Sequence, residues 1–364
     1  MSLSRHVITG IGTAQVGAEY IREVGRNSFR GHHGRGGVET AYVVETDRGA
    51  TGWGLPLSTG DPAALIGRNV AELIDPELGV IEPGAEFLDY ALHDLAARIL
   101  DVPVYAMLGA AGSAQVRCYS GGIYLDDLDP QEAPAGLTAI KQNLAQDHEF
   151  GFRDFKLKLG RGYRWMPYQA GLDRDIEVTR LARELYPEAD ILVDPNDGFS
   201  VNALTEYLAA VSDCRLYWIE EVYAERREDL EFLRAHLATL PWRPKIADGE
   251  FDPNVDQILR LARADLLDVA LMDAVGYGLT AWRRLMPALT ASSTEASPHA
   301  WGLPLKTLYA AHIAAGLGNV PIVEGVPGHT LGTDGDGYQL SDGTLILSDR
   351  PGFGIDLTAA GSSS

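Results

Sequence analysis

The sequence predicts an α/β fold: a modified TIM barrel of (β/α)7β order that follows an N-terminal α+β domain. Short apolar runs recur between residues 115 and 330, and each is followed by a loop and a helix-like stretch. Such runs are typical of buried parallel strands. Three of the runs end in an acidic residue, Asp194, Glu220 and Glu250, with spacings of 26 and 30 residues. Each spacing is close to the length of one βα unit, ~30 residues, so these carboxylates mark successive strand ends.

Eight segments are candidates for the barrel strands. From the second to the eighth, each ends at or beside a polar residue, which predicts a polar rim at one end of the barrel. In chain order the segments are Val116–Ser120, Phe155–Leu159, Asp190–Asp194, Leu216–Glu220, Lys245–Glu250, Leu266–Met272, Thr294–His299 and Val320–Glu324.

The three acidic residues are candidates for a metal site. In a parallel barrel the ends of successive strands meet on one rim, so carboxylates far apart in sequence come together. Three converging carboxylates need a cation, and a set of oxygen ligands suits Mg²⁺. A single acid after an apolar run is more often a turn residue or a helix N-cap, so the expectation rests on the joint pattern. We therefore expect a Mg²⁺-dependent enzyme.

Two lysines, Lys156 and Lys158, lie two residues apart on the second strand and so share one face. They could form a solvated pair on an edge strand. The flanking apolar residues Phe155, Leu157 and Leu159 instead favour lysines that point into the barrel or its mouth. A desolvated lysine near other cations has a lowered pKa, which would make it a usable base near neutral pH.

A histidine, His299, ends the seventh strand, and Asp273 follows the sixth. A lone histidine is more often a surface or core residue, so its value depends on that carboxylate. Neighbouring strand ends would place the two side by side on the rim, where a carboxylate on one ring nitrogen orients the other as a base.

Together these motifs resemble the mandelate racemase subgroup of the enolase superfamily. The resemblance covers nearly the whole chain. Each motif is short, so its specificity comes from the order and spacing of all of them. They are Lys156-x-Lys158, Asp194-x-Asn196, Trp218-Ile219-Glu220-Glu221, Ile246-Ala247-Asp248-Gly249-Glu250, Ser297-Pro298-His299 and Val323-Glu324.

The resemblance implies a ligand set for Mg²⁺. Asp194, Glu220 and Glu250 would bind the ion, and Asn196 would support the site from behind the ligands. Asp248 competes with Glu250, because relatives use either an Asp or a Glu on this strand. We favour Glu250, because the glycine between the two suggests that the chain bends where the ligand must turn inward.

The resemblance also implies acid–base roles. Lys158 and His299, the latter held by Asp273, would act on opposite faces of the substrate. Lys156 would stay charged and help to hold the substrate carboxylate. Glu324 would be protonated, with its pKa raised by burial, and would donate a hydrogen bond to the same carboxylate.

The N-terminal part has a different pattern. Alternation over Glu39–Thr46 predicts an antiparallel meander, and helices are expected over Asn69–Ile74 and Ala85–Leu100. We expect an α+β domain over residues 1–114, the barrel over 115–330, and a C-terminal segment over 331–364 that packs back on the N-terminal domain. By resemblance, this domain would cap the barrel mouth.

A basic, glycine-rich segment at residues 26–37 fits a capping loop. A flexible polar loop is the alternative. In the capping interpretation Arg30, His32 and Arg35 would bind the substrate, with a cation on a sugar hydroxyl or a distal carboxylate.

Composition limits the classes of partner. The net charge of −21 disfavours nucleic acid, because phosphate binding needs a basic surface. The two cysteines, Cys118 and Cys214, form no disulfide framework, and no long apolar run or leader is apparent. We expect a cytoplasmic enzyme that binds a small carboxylate rather than a membrane, and a homo-oligomer by resemblance.

Three functions follow in order of preference. The first is dehydration of an acid sugar to a 2-keto-3-deoxy acid through an enediolate, because polar cap residues suit a polyol chain. A racemase, epimerase or cycloisomerase would need the same Lys158 and His299. A non-catalytic binding protein would show decay at one of these positions, and the sequence has none.

Overall fold

An antiparallel meander begins the chain in the computed structural model, which describes residues 2–223, 226–250 and 253–358. Its strands are β1 (Ile8–Val24), β2 (Gly34–Thr46) and β3 (Thr51–Gly54). The alternation over residues 39–46 predicted β2, but β1 was not predicted. Glycines at positions 10, 12 and 17 interrupt its apolar alternation, and glycine is depleted in strands.

Helices and a short hairpin complete the N-terminal domain. Asn69 caps the first helix by accepting a hydrogen bond from the backbone of Ala71. The long predicted helix begins as a 3₁₀ turn over Pro83–Leu88 and becomes α-helical at Asp89, and its apolar face packs on the meander. The elements are α1 (Val70–Leu73), β4 (Ile74–Asp75), β5 (Gly79–Val80), α2 (Asp89–Leu100) and α3 (Val104–Met107).

Within the part of the chain that the structure describes, eight parallel strands form the barrel. Each strand from the first to the sixth pairs with the next one, and the eighth pairs with the first. Between the seventh and eighth, backbone Ala296 donates to Asn319 and the Ser297 hydroxyl donates to Ile322. The strands are β6 (Gln115–Ile123), β7 (Asp154–Lys158), β8 (Ile191–Asp194), β9 (Trp218–Glu220), β10 (Lys245–Asp248), β11 (Val269–Ala270), β12 (Glu295–Ala296) and β13 (Val323–Gly325).

Helices follow the first seven barrel strands, and the eighth leads into a further strand. This is the predicted (β/α)7β order. The helices are α4 (Leu137–Phe150), α5 (Arg161–Arg164), α6 (Tyr168–Leu185), α7 (Val201–Ala210), α8 (Arg227–Leu237), α9 (Val255–Arg263), α10 (Ala274–Tyr277), α11 (Leu279–Ala291) and α12 (Pro304–Leu317).

The C-terminal segment contacts both parts of the protein. Strand β14 (Gly328–Leu331) pairs with β1, and the Arg98 guanidinium of α2 contacts Asp356 at 2.7 Å. The hairpin of β15 (Tyr338–Ser341) and β16 (Thr344–Leu347) instead pairs with the start of β6. The apolar run in β16 therefore extends the barrel sheet.

No helix within residues 2–223, 226–250 and 253–358 has both the length and the apolar character needed to cross a membrane.

A buried ion-pair network holds the loop that follows β7. The Arg161 guanidinium contacts the carboxylates of Asp127 and Asp175, each at 2.7 Å, and all three side chains are fully buried. Asp175 also accepts hydrogen bonds from the backbone N–H groups of Gly160 and Arg161, while Arg161 Nη1 donates to the carbonyl of Lys158. The network therefore fixes the turn directly after Lys158.

Loss of this cation should cost much more stability than loss of an exposed one. Arg161→Met removes the cation that pairs with buried Asp175 and leaves Asp127 with Arg174 at 3.1 Å, so it should lower the free energy of unfolding by about 3–5 kcal/mol. The control is Arg180→Met, because Arg180 pairs with Asp213 on the surface, where such pairs contribute about 1 kcal/mol or less. Urea unfolding of both variants measures the difference. Equal losses would show that the network does not hold the fold.

Candidate active site

Carboxylates from three successive strand ends meet at the mouth of the barrel. Oxygens of Asp194, Glu221 and Glu250 lie within 4.8 Å of one another. Asp194 ends β8, Glu221 follows β9, and Glu250 lies two residues beyond β10. The parallel strands thus gather residues far apart in sequence, as the βα rhythm predicted.

The residue on β9 differs from the sequence expectation, which was Glu220. Glu220 shares a strand face with Trp218 and points into the barrel, where its oxygens accept from Trp218 Nε1 at 2.9 Å and from Lys156 Nζ at 2.7 Å. Glu221 has a φ of 42°, a left-handed conformation that turns its side chain towards the other two carboxylates. Such a conformation is uncommon outside glycine and often marks a functional site. Glu220 as a ligand stays a prediction.

Asn196 links two members of this group. Its backbone N–H donates to Asp194 Oδ1 at 2.8 Å, and its side-chain amide donates to Glu221 Oε2 at 3.2 Å. The sequence predicted this supporting position.

The turn after β10 places Glu250, rather than Asp248, among the three carboxylates. Gly249 has a φ of 109°, which side chains rarely adopt, so the chain bends at the glycine. Asp248 accepts a hydrogen bond from the backbone of Gly249 at 2.7 Å.

These residues fit a hard divalent cation. Burial, together with the charges of Glu250, Asp194 and Glu220, raises the pKa of Glu221 to about 9. The buried oxygens Glu250 Oε2 and Asn196 Oδ1 have no hydrogen-bond partner among the described residues. An all-oxygen donor set with crowded negative charge is the chemistry that Mg²⁺ selects.

The two predicted lysines point into the barrel. Lys156 is fully buried, and its ammonium lies 2.9 Å from Glu324 Oε1 and 3.6 Å from Asp194 Oδ2, besides its bond to Glu220. Lys158 is nearer the mouth, where it forms an ion pair with Asp194 and lies 5.7 Å from the centre of the Tyr124 ring.

The expected lowering of the pKa of Lys158 is wrong for this arrangement. Burial and the charge of Lys156 lower the pKa of Lys158, but the carboxylates of Asp194, Glu250 and Glu220 together outweigh them, so the pKa is raised. The expectation assumed that cations would be the nearest charges.

His299 and Asp273 are brought together. His299 Nδ1 lies 3.0 Å from Asp273 Oδ2, and the backbones of the two residues form a parallel bridge. On its other side, Nε2 lies 3.1 Å from Glu250 Oε1 and 3.5 Å from Glu324 Oε2. Burial would lower the pKa of His299, but these carboxylates raise it to about 9.

Glu324 is ionised, which contradicts the expected protonated acid. Burial raises its pKa, but the Lys156 ammonium, with His299 and Lys158, lowers it to about 2. Its Oε2 accepts a hydrogen bond from the backbone of Ala300 at 2.9 Å.

Lys306 is a site residue that the sequence reasoning missed. Its ammonium contacts Asp273 Oδ2 at 3.0 Å, the same oxygen that faces His299, while Asp273 Oδ1 accepts from the backbone of Val275 and Gly276. Lys306 lies in the first turn of α12, where the helix dipole disfavours a cation. A lysine in this unfavourable position indicates a specific acidic partner, and that was the signal the sequence offered.

A cavity of about 820 Å³ extends from the carboxylates to the N-terminal domain. Lys158, Glu221, Glu250, His299 and Lys306 line one part of it. The rest is lined by aromatic and polar side chains, among them Tyr20, Phe29, Tyr124, Tyr163 and Trp301.

Of the three residues in the capping segment that were predicted to bind substrate, two line the cavity. Arg30 and His32 line the cavity, and His32 Nε2 lies 3.1 Å from Asp129. Arg35 is not among the cavity-lining residues of the described chain. It belongs to β2, and its exposed guanidinium lies 3.6 Å from Glu23. The sequence assigned it to the loop because the glycines around it hide the start of the strand.

Hydrogen bonds with the barrel loops hold the capping segment over the mouth of the barrel. Trp165 Nε1 donates to the carbonyl of Asn27 at 2.7 Å, and Arg164 donates to that of Phe29 at 2.5 Å. Ser28 donates to the carbonyl of Asn196, beside the carboxylates. At Gly160 an added Cβ would lie only 2.8 Å from the Ser28 side chain, so glycine permits this close approach.

Comparison with known proteins identifies the family. Residues 139–361 match the family described as enolase C-terminal domain-like. Galacturonate dehydratase from Geobacillus, in complex with D-galacturonate and 5-keto-4-deoxy-D-galacturonate, is 30% identical with a TM-score of 0.90, and the match covers 97% of this chain and 95% of that one. A variant of that enzyme complexed with Mg has a TM-score of 0.91 at 30% identity, over 97% and 93% of the two chains.

Curated relatives are more distant. D-xylonate dehydratase from Haloferax volcanii is 23% identical over 74% of this chain and 66% of its own length. L-Ala-D/L-amino acid epimerase from Populus trichocarpa is 24% identical over 86% of this chain and 76% of its own length. With the barrel and its acidic mouth, these matches place the chain in the enolase superfamily, in its mandelate racemase/muconate lactonizing enzyme-like branch.

Proposed function

We propose that this protein dehydrates an acid sugar to a 2-keto-3-deoxy acid in a Mg²⁺-dependent reaction. The observation that carries the proposal is the placement of Lys158 and His299 on the wall of one polar cavity beside three converging carboxylates. Removal of a proton α to a carboxylate needs a base and a charge-stabilising group at that position.

Asp194 and Glu250, with Glu221 or Glu220, would hold Mg²⁺. When bound, the ion would act as a Lewis acid that neutralises the substrate carboxylate and the charge that develops as the α-proton leaves. Lys156, which stays charged, would help to hold that carboxylate.

Lys158 and His299 would exchange protons with the substrate. Lys158 would take the α-proton on one face once Asp194, the carboxylate that raises the pKa of Lys158, is engaged by Mg²⁺ instead. Because Nδ1 of His299 faces Asp273, Nε2 is the nitrogen left to deliver a proton to the departing β-hydroxyl. Lys306 and two backbone N–H groups fix Asp273 in this role.

A hexuronate such as D-galacturonate is the first substrate to test. The Geobacillus enzyme, whose structure contains D-galacturonate, matches this chain over nearly its full length. Its product carries the new keto group beside the carboxylate, which is the outcome of the same α-proton removal and β-hydroxyl loss.

Racemisation or epimerisation is the second candidate. Two groups on opposite faces of a carbon acid can remove and return a proton without loss of water, and an epimerase is among the relatives. The two activities differ in one observable: only dehydration forms a keto acid.

Turnover should depend on both proton-transfer residues. With Mg²⁺ and a panel of uronic, aldonic and aldaric acids, a carbonyl reagent should detect a keto acid from at least one acid. Lys158→Ala and His299→Asn should each reduce that activity by at least about 100-fold, the usual loss of an acid–base catalyst. Lys141→Ala and His329→Asn are exposed controls that should keep it. Variants at Lys158 and His299 that stay fully active would refute the assignment.

Mg²⁺ binding should depend on the rim carboxylates. Calorimetric titration of Asp194→Asn and Glu250→Gln should show affinity for Mg²⁺ reduced by about 10-fold or more. Glu39→Gln, at an exposed cavity-lining residue, is the control. Comparison of Glu220→Gln with Glu221→Gln identifies the third ligand. Wild-type affinity in Glu250→Gln would place the metal elsewhere.

A further inference from the structure

One histidine in the cavity has no part in the proposed chemistry. His33 lies where the capping segment enters β2, and its ring lines the cavity beside Tyr124 and Trp301. We propose that His33 Nε2 accepts a hydrogen bond from a hydroxyl of the substrate chain, so that the site selects a polyhydroxy acid over an acid without hydroxyls. The inference rests on the proposed function and adds a substrate class to it.

The hydrogen bond of the other ring nitrogen fixes the tautomer. His33 Nδ1 lies 2.8 Å from the carbonyl oxygen of Gly25. A carbonyl oxygen can only accept, so Nδ1 must carry the hydrogen. In a neutral ring, Nε2 then has a lone pair and no hydrogen, and it can only accept.

The surroundings keep the ring neutral. Burial lowers the pKa of His33, and although the Gly25 carbonyl opposes this, the cations of Lys158 and Arg30 lower it further. The acceptor therefore persists at neutral pH.

The acceptor is also held in place. The backbone N–H of His33 donates to the carbonyls of Val24 and Gly25, and its ring packs edge-on against Tyr124 with centroids 4.7 Å apart. The Gly25 N–H in turn donates to the partly buried carboxylate of Asp126 in the turn after β6. A group that is already fixed loses little entropy when it binds a ligand.

Arg30 supplies the complementary donor. Its guanidinium lines the same cavity, and no carboxylate of the described residues lies within ion-pair distance of it. A hydroxyl can accept from Arg30 and donate to His33. A carboxylate could satisfy Arg30 but would bring negative charge against the lone pair of Nε2.

The test compares two ligands at equilibrium in the presence of Mg²⁺. D-galacturonate carries a polyhydroxy chain, and malonate carries none. Binding is measured in the His299→Asn variant, because this variant should not consume the sugar and retains Lys158 beside His33. His33→Phe keeps a ring against Tyr124 but removes the acceptor, and His33→Gln can restore one.

His33→Phe should weaken D-galacturonate binding by about 10-fold, the typical effect of one lost hydrogen bond, and should leave malonate binding within about 2-fold. His33→Gln should recover most of the loss. Equal weakening of both ligands would show a structural role and overturn the inference, as would no change for either. Failure of the proposed function is separate, because it appears as absence of keto acid from the active protein, whereas this comparison needs no turnover.

Discussion

The dense negative charge at the barrel mouth is the constraint on which the rest of the structure depends. Among the described residues, the carboxylates of Asp194, Glu220, Glu221, Glu250 and Glu324 converge there, and burial would make their ionisation costly without cations. Lys156 neutralises the inner part through Glu220 and Glu324, and Lys158 neutralises Asp194. Of the outer carboxylates, Glu250 raises the pKa of Glu221 and lies against His299. This excess of negative charge is what makes the mouth a cation site.

The same charged mouth orders its surroundings. The buried ion pairs of Arg161 hold the turn after β7 in place. The turn after β8 carries Asn196, whose carbonyl accepts a hydrogen bond from Ser28 of the capping segment. The cap is therefore anchored on the loops that carry the carboxylates.

Much of this architecture could be predicted from the sequence, because strand periodicity and polar strand ends are local signals. The barrel order, the inward-pointing lysines and the approach of Asp273 to His299 all follow from where runs begin and end. The choice between Glu220 and Glu221 could not be predicted, because it depends on one left-handed residue after β9. The charge state of Glu324 depends on its distance to Lys156, and Lys306 reaches Asp273 from a helix 33 residues further along the chain.

The most direct test of the account follows the α-proton by ¹H NMR. The protein is incubated in D₂O with Mg²⁺ and D-galacturonate, and a matched sample contains EDTA in place of Mg²⁺. We expect the proton beside the carboxylate to disappear only with Mg²⁺, together with formation of a keto acid whose new methylene carries solvent deuterium. If Mg²⁺ binds but the proton persists on this and every other uronic or aldonic acid tested, the central claim of cation-assisted proton removal is contradicted.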